Sequence, residues 1–125
     1  MTHETLLLRQ IHPSFVQGGV VTSQAFRPTP KDDDLLSVDD GDRISAPAAW
    51  DRHTGEFGCR SDGVMAVTVA ECATLDLPVA ADGEPYPEHA SVVFAGLTGG
   101  QRDRAAKKLR YWATDRGWLY QAPSS

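Results

Sequence analysis

The sequence of 125 residues holds few cysteines, no long apolar run and no excess of basic charge. Its two cysteines, Cys59 and Cys72, are not spaced as a C-x-x-C pair, which argues against a secreted disulfide scaffold and against a zinc site. No apolar stretch approaches the roughly 18 residues that a transmembrane helix needs. Twelve Lys and Arg residues stand against 17 Asp and Glu residues, so the net charge is −5. We therefore expect no membrane contact, no metal and no nucleic-acid partner.

Sequence signatures of several known chemistries are missing as well. There is no G-x-S-x-G motif, which presents a serine nucleophile on a sharp turn. Six aspartates lie between Asp32 and Asp42, but they lack the ligand spacing and the distal glutamate of an EF-hand, so we interpret them as a solvated acidic turn. The N-terminus has neither the basic region nor the apolar run of a secretory signal peptide. Together with reduced thiols, these features predict a cytoplasmic protein that holds no cofactor.

Length and composition indicate one globular domain. A chain of this size buries enough surface to form a core without disulfide or metal support. Hydrophobic residues make up 41% and charged residues 23%, which is ordinary for a globular protein. We predict a single α+β domain over residues 1–121, followed by a frayed C-terminal tail at 122–125. The oligomeric state is left open.

Apolar patterns separated by proline and glycine predict the secondary structure. Strands are expected at 4–11, 20–26, 35–38, 64–67, 90–95 and 118–120. Ser45 as an N-cap, and capping boxes that open at Thr68 and Thr98, predict the starts of three helices. The last helix is long and amphipathic and is expected to end at Gly117. The expected fold is a mostly antiparallel sheet of four to six short strands, with two or three helices packed on one face.

The same C-terminal helix carries six of the twelve basic residues, namely Arg102, Arg104, Lys107, Lys108, Arg110 and Arg116. Such a cluster suits a phosphate group or an acidic partner. It equally suits the solvated side of an amphipathic helix. The sequence leaves both interpretations open.

Polar side chains on neighbouring predicted strands form the candidate site. His12 ends the first strand, which also carries Arg9. Ser23 and Ser37 lie in the next two strands, and His89 follows a proline-stiffened loop before a later strand. We predict that these residues converge to within about 10 Å as a ligand-binding pocket near the N-terminal hairpin. The alternative is structural: a strand-end histidine bonded to the backbone, and a plain loop. No catalytic residue is assigned.

Four motifs follow one another in a pattern that spans most of the chain: His12-Pro13-Ser14, Thr22-Ser23-Gln24-Ala25-Phe26, Leu36-Ser37-Val38 and Pro87-Glu88-His89-Ala90. This pattern resembles that of a group of small uncharacterised bacterial proteins. The resemblance implies a bacterial, soluble, single-domain protein, and it brings no activity with it. The positions that match are Arg9, His12, Ser23, Phe26, Ser37 and His89.

A second resemblance, to ADP-ribosyl transferases, concerns the first two predicted strands. The segments at 8–12 and 22–24 resemble that family's Arg or His strand and its serine motif, but its Ser-Thr-Ser sequence and tyrosine pair are absent.

The sequence leads to two classes of function. The first is a binding or partner-interaction domain for an unidentified small ligand or protein. The alternative is a small enzyme acting on a nucleotide-type ligand, with His12 or His89 as base. We favour the first because no complete catalytic constellation is visible.

Overall fold

The computed structural model describes residues 1–28 and 34–123. Within these residues the strands are β1 (Leu6–Gln10), β2 (Val16–Gln17), β3 (Val20–Val21), β4 (Leu35–Asp40), β5 (Gly63–Thr68), β6 (Val79–Ala80), β7 (His89–Val93) and β8 (Tyr120–Gln121). The α-helices are α1 (Ala46–Asp51), α2 (Val69–Thr74) and α3 (Gly99–Arg116). Two 3-10 helices span Pro13–Phe15 and Ser23–Phe26, and a π-helical turn spans Arg52–Glu56. Of the expected acidic turn, positions 32 and 33 lie outside the described residues.

Six of the strands form one antiparallel sheet in the order β6-β7-β4-β1-β5-β8, and β2 and β3 form a separate hairpin. The register places Leu8 opposite both Asp39 and Ala66, and it places Asp39 opposite His89. Residues that lie directly opposite share a face of the sheet, so the polar pair Asp39 and His89 lies on the same face as Leu8. This architecture confirms the predicted α+β class.

The two faces of the sheet are covered differently. On one face, which we call the helical face, Leu7 and Val92 pack beneath α2 and α3, and Leu109 of α3 is fully buried among them. On the opposite face, which we call the groove face, α1 covers the part of the sheet around Leu8 and Ala66. Two helices therefore share one face, as expected. The third covers the other face in part and leaves room beside it for a site.

Local sequence signals set the ends of the helices. Thr68 and Thr98 each open the capping box that the sequence predicts, which satisfies backbone donors at the starts of α2 and α3. The Ser45 hydroxyl caps α1 by accepting a hydrogen bond from the backbone three residues on. Gly117 ends α3 with a φ of +90°, in the region that favours glycine. These boundaries need no tertiary information.

Residues 20–26 do not form the single strand that their alternation predicts. The strand ends at Val21, and the backbone N–H and the hydroxyl of Thr22 then both donate to the carbonyl of Phe15, at 2.8 and 2.9 Å. The chain then turns into the 3-10 helix, which packs against α3 and buries Ala25 and Phe26. Burial of the Phe26 ring therefore outweighs the strand propensity of this segment.

The C-terminal residues pack back onto the sheet. β8 pairs with β5, and the N–H of Ala122 donates to the carbonyl of Asp62 at 2.9 Å. Positions 124 and 125 of the expected tail lie outside the described residues.

On α3, Leu109 is fully buried, whereas Trp112 is only partly buried against the same core. The apolar stripe of α3 thus has a buried centre at Leu109 and a partly buried edge at Trp112.

Candidate functional site

A groove crosses the part of the groove face that α1 leaves uncovered. Its first cavity, of about 310 Å³, lies between the π-helical turn and the loop at 81–88. A second cavity, of about 380 Å³, lies beside the end of β1. The two cavities share the lining residues Arg9, Gln10, His53 and Cys59. They therefore form one groove, with a combined size that suits a small organic ligand.

One end of the groove, which we call the aromatic end, is lined by Phe57, Tyr86 and His89. The rings of Phe57 and Tyr86 are stacked, with centroids 5.7 Å apart and planes 18° apart. The Tyr86 ring meets His89 edge-on at 5.5 Å. Phe57 is 49% exposed although it is a large apolar residue. An exposed ring backed by a second ring is a suitable surface for stacking a planar group.

Arg52 fixes Tyr86 in this position. As the first residue of the π-helical turn, Arg52 donates from Nη1 to Glu88 Oε2 at 3.0 Å and contacts Asp39 Oδ1 from Nη2 at 3.5 Å. Its guanidinium carbon lies 3.8 Å from the centroid of the Tyr86 ring, a cation–π contact. The Arg52 side chain thus connects the π-helical turn with strand β4 and with the loop at 81–88.

The groups around Arg52 have shifted ionisation. Burial raises the pKa of Asp39, and the Tyr86 hydroxyl and the charge of Arg52 offset this only in part. Burial also raises the pKa of Tyr86, and the Asp39 carboxylate raises it further. Tyr86 therefore keeps its proton at neutral pH, so its hydroxyl remains a donor toward the Asp39 carboxylate.

His89, at the start of β7, is held by a carboxylate. Its Nδ1 lies 2.7 Å from Asp82 Oδ1, and the Ser91 hydroxyl donates to Asp82 Oδ2 at 2.7 Å. Burial acts to raise the pKa of Asp82, but the hydrogen bonds from His89 and Ser91 outweigh it and hold the pKa below its usual value. An ionised carboxylate only accepts hydrogen bonds, so the Nδ1 of His89 carries a proton. In the neutral ring Nε2 then carries no proton, and the residue lines the first cavity.

Arg9 lies at the centre of the groove, where β1 and β4 diverge. Their pairing ends at Leu8 and Asp39, and the Arg9 side chain occupies the gap beyond them. Its Nε donates to the carbonyl of Ala25 at 2.7 Å, and its Nη1 donates to the carbonyl of Ser37 at 3.0 Å. Arg9 thus brings positive charge into the groove while it bonds to two separate segments of backbone.

The other end of the groove, which we call the basic end, is lined by Arg9, His12, His53 and Arg60. Burial lowers the pKa of His53, and repulsion from Arg9, and from His12 when it is protonated, lowers it further. The His53 imidazole is therefore mostly neutral at pH 7. Among the described residues, no Asp or Glu lines this end. The arrangement suits an anionic group, which would relieve the crowding of positive charge.

The residues predicted from the sequence fall in different places. Arg9, Ser37 and His89 line the first cavity, and Arg9 and His12 line the second. The Nδ1 of His12 accepts a hydrogen bond from the N–H of Ser14 at 3.0 Å, so this histidine caps a 3-10 helix as well as lining the groove. Ser23 lies in the second 3-10 helix and lines neither cavity.

Several residues that build the groove were not predicted, among them Arg52, His53, Phe57 and Asp82. The first three belong to a segment that the sequence assigns to a helix end and to an irregular stretch. Asp82 lies in the proline-stiffened loop that precedes His89. The segment between Asp82 and His89 forms no helix, so only the fold of the loop brings the two side chains together.

Comparison with known proteins gives no further assignment. No family model, no curated protein and no solved structure matches this chain. The resemblances drawn from the sequence motifs therefore carry no residue role into the groove. Within residues 1–28 and 34–123, no helix is long and apolar enough to cross a membrane, and no three His, Cys, Asp or Glu side chains are grouped to hold a metal ion.

Proposed function

We propose that this protein is a binding domain for a small anionic ligand that carries a planar ring, such as a mononucleotide. The observation that carries the proposal is the chemical difference between the two ends of one groove. The basic end offers positive charge and imidazole rings, and the aromatic end offers the exposed ring of Phe57. A nucleotide has a phosphate at one end and a planar base at the other, so its two ends match the basic end and the aromatic end of the groove.

The charge of the groove supports an anionic ligand. The whole chain has a net charge of −5, yet Asp39 is the one acidic residue among the described residues that line the groove. Asp39 is buried and already contacts Arg52. Local positive charge in an acidic protein favours a small anion over a long nucleic acid, because the surrounding surface repels an extended polyanion.

We further infer a bacterial, cytoplasmic setting, which the cysteines and the sequence resemblance support. Both thiols are free, and they cannot pair because Cys59 is exposed while Cys72 is fully buried. Burial raises the pKa of the Cys72 thiol to about 12, so it stays protonated and unreactive. Free thiols are usual in a reducing compartment.

Calorimetric titration tests the proposed ligand class. Thymidine 5′-monophosphate is expected to bind at least 10-fold more tightly than thymidine or inorganic phosphate, because only the nucleotide reaches both ends of the groove. Arg60→Ala is expected to weaken nucleotide binding severalfold and to leave thymidine binding unchanged. Phe57→Ala is expected to weaken both, since stacking of a base on an aromatic ring contributes about 1–3 kcal/mol.

The matched control is Lys107→Ala, which removes the same charge from the exposed side of α3, across the sheet from the groove. Its affinity for the nucleotide is expected to equal that of the wild type. Equal weakening by Lys107→Ala and Arg60→Ala would show only a general charge effect. Absence of nucleotide binding, or binding that survives both groove variants, would contradict the proposal.

Binding is also expected to depend on pH through His53. Its pKa is lowered in the free protein, and a bound anion stabilises the protonated imidazole, so the pKa rises in the complex. The complex then binds a proton that the free protein does not, and affinity increases as the pH falls from about 7 through this window. A 3′,5′-cyclic mononucleotide is the suitable probe, because its phosphodiester does not titrate there. His53→Gln is expected to flatten the dependence, and an unchanged slope in that variant would contradict it.

A further inference from the structure

We propose that His89 is a general base in this groove and that the protein hydrolyses a phosphoester of the ligand class proposed above. The inference rests on the proposed function and adds a reaction to it. It starts from a difference between two histidines of one groove. The hydrogen bonds that each makes at Nδ1 decide what Nε2 offers to a ligand.

The Nδ1 of His12 accepts a backbone N–H at 3.0 Å. A nitrogen that accepts a hydrogen bond carries no proton, so the neutral His12 ring holds its proton on Nε2 and is a donor there. This suits the binding of an anion. His89 has the opposite arrangement, because its Nδ1 donates to Asp82 at 2.7 Å. Its neutral ring therefore has a bare lone pair on Nε2, which suits the removal of a proton.

The hydrogen bond between His89 and Asp82 is not required to hold the loop at 81–88 in place. The backbone already fixes this loop, since the N–H of Gly83 donates to the carbonyl of His89 at 3.1 Å and the N–H of His89 donates to the carbonyl of Tyr86 at 3.0 Å. Arg43 also donates to the carbonyl of Pro87 at 2.9 Å. The Ser91 hydroxyl orients Asp82 from its other oxygen. A carboxylate that is itself oriented, and that orients a histidine, is the arrangement of a general base.

The first cavity also holds the groups that the reaction needs around phosphorus. Arg9 and His53 line both cavities, so a phosphoryl group at the junction of the two cavities borders the first cavity, which His89 lines. In the proposed step, Nε2 of His89 takes a proton from a water molecule as the water oxygen forms a bond to phosphorus. The bond from phosphorus to the leaving oxygen breaks, and that oxygen leaves as an anion or regains the proton from the His89 imidazolium. No oxidant, reductant or further reactant is required.

The test uses the chromogenic diester thymidine 5′-(4-nitrophenyl) phosphate with the full-length protein. Wild-type protein is expected to release 4-nitrophenolate faster than buffer does. His89→Asn keeps an amide donor near the position of Nδ1, and so keeps the partner of Asp82, but it removes Nε2. This variant is expected to lose at least about 100-fold in rate. Asp82→Asn is expected to lose at least about 10-fold, because the ring is no longer held in the required tautomer.

Binding of thymidine 5′-monophosphate separates the two proposals. The rate of His89→Asn is measured at a substrate concentration that saturates it, and this variant is expected to melt within a few degrees of wild type, so that the lost rate reports chemistry. Lys107→Ala is expected to keep the wild-type rate. If the nucleotide binds but the wild type shows no turnover, or if His89→Asn is as active as wild type, the general-base inference is overturned and the binding function stands. If the nucleotide does not bind, both proposals are overturned.

Discussion

Replacing Arg52 with alanine is expected to lower the free energy of unfolding by about 3–5 kcal/mol, because removing one partner of a buried ion pair leaves an uncompensated charge. The Arg52 side chain is 17% exposed and that of Asp39 is 6% exposed, so water screens the pair poorly. The variant also loses the ion pair to Glu88 and the contact with the Tyr86 ring. Urea unfolding at pH 7 measures the change.

The double variant Arg52→Ala with Asp39→Asn tests the cause of this loss. Asparagine has no charge to leave unpaired, so the double variant is expected to recover part of the stability that Arg52→Ala loses. If it recovers none, the uncompensated carboxylate is not the reason. If Arg52→Ala lowers the free energy of unfolding by less than about 1 kcal/mol, the ion pair of Arg52 and Asp39 contributes no more than an exposed surface pair does.

The stability loss of Arg52→Ala is also expected to depend on pH, through the ionisation of Asp39. Burial already raises the pKa of Asp39 in the folded protein, and removal of Arg52 raises it further. A carboxyl group with a raised folded pKa destabilises the fold above that pKa and ceases to do so when it is protonated. The deficit of Arg52→Ala is therefore expected to be largest at pH 7 and to shrink as the pH falls through the raised pKa. Arg52→Lys keeps the charge without the planar fork and is expected to lie between wild type and alanine.

The elements that the sequence predicts well depend on local signals. The boundaries of α2 and α3 follow from capping boxes at Thr68 and Thr98 and from Gly117, each of which acts within one turn. The strands β1, β5 and β7 are short apolar runs between breakers, and their type follows from the same local information. The α+β class follows once these elements are assigned, because the strands form a sheet on which the apolar stripe of α3 can pack.

The groove depends on contacts between distant segments, which a single sequence does not reveal. Arg52 contacts Glu88, 36 residues away, and this contact is what places Tyr86 at the aromatic end. His89 is predictable because it begins a strong strand after a proline-rich loop. Its partner Asp82 is not, because the fold of that loop decides which carboxylate reaches the ring. Ser23 illustrates the opposite case, since its place in the predicted pocket depends on a strand that the chain does not form.

Phe26→Ala is expected to destabilise the protein by about 3–5 kcal/mol, as the loss of a fully buried phenylalanine does elsewhere. The sequence resemblance marks Phe26 beside the candidate site residues, but the structure gives the ring a packing role. It is 0% exposed and lies in the core that the 3-10 helix shares with α3. A cavity at this position removes contacts from both elements.

Phe57→Ala is the matched control for this prediction. It deletes the same atoms from a ring that is 49% exposed, so its effect on stability is expected to stay within about 0.5 kcal/mol. The two variants should also separate in ligand binding: Phe57→Ala weakens nucleotide binding in a stable protein, whereas Phe26→Ala weakens the fold and removes no side chain that lines the groove. Urea unfolding and calorimetric titration of both variants measure this contrast. Equal losses of stability would show that the Phe57 ring is packed rather than presented to a ligand, and this would remove the aromatic end from the binding proposal.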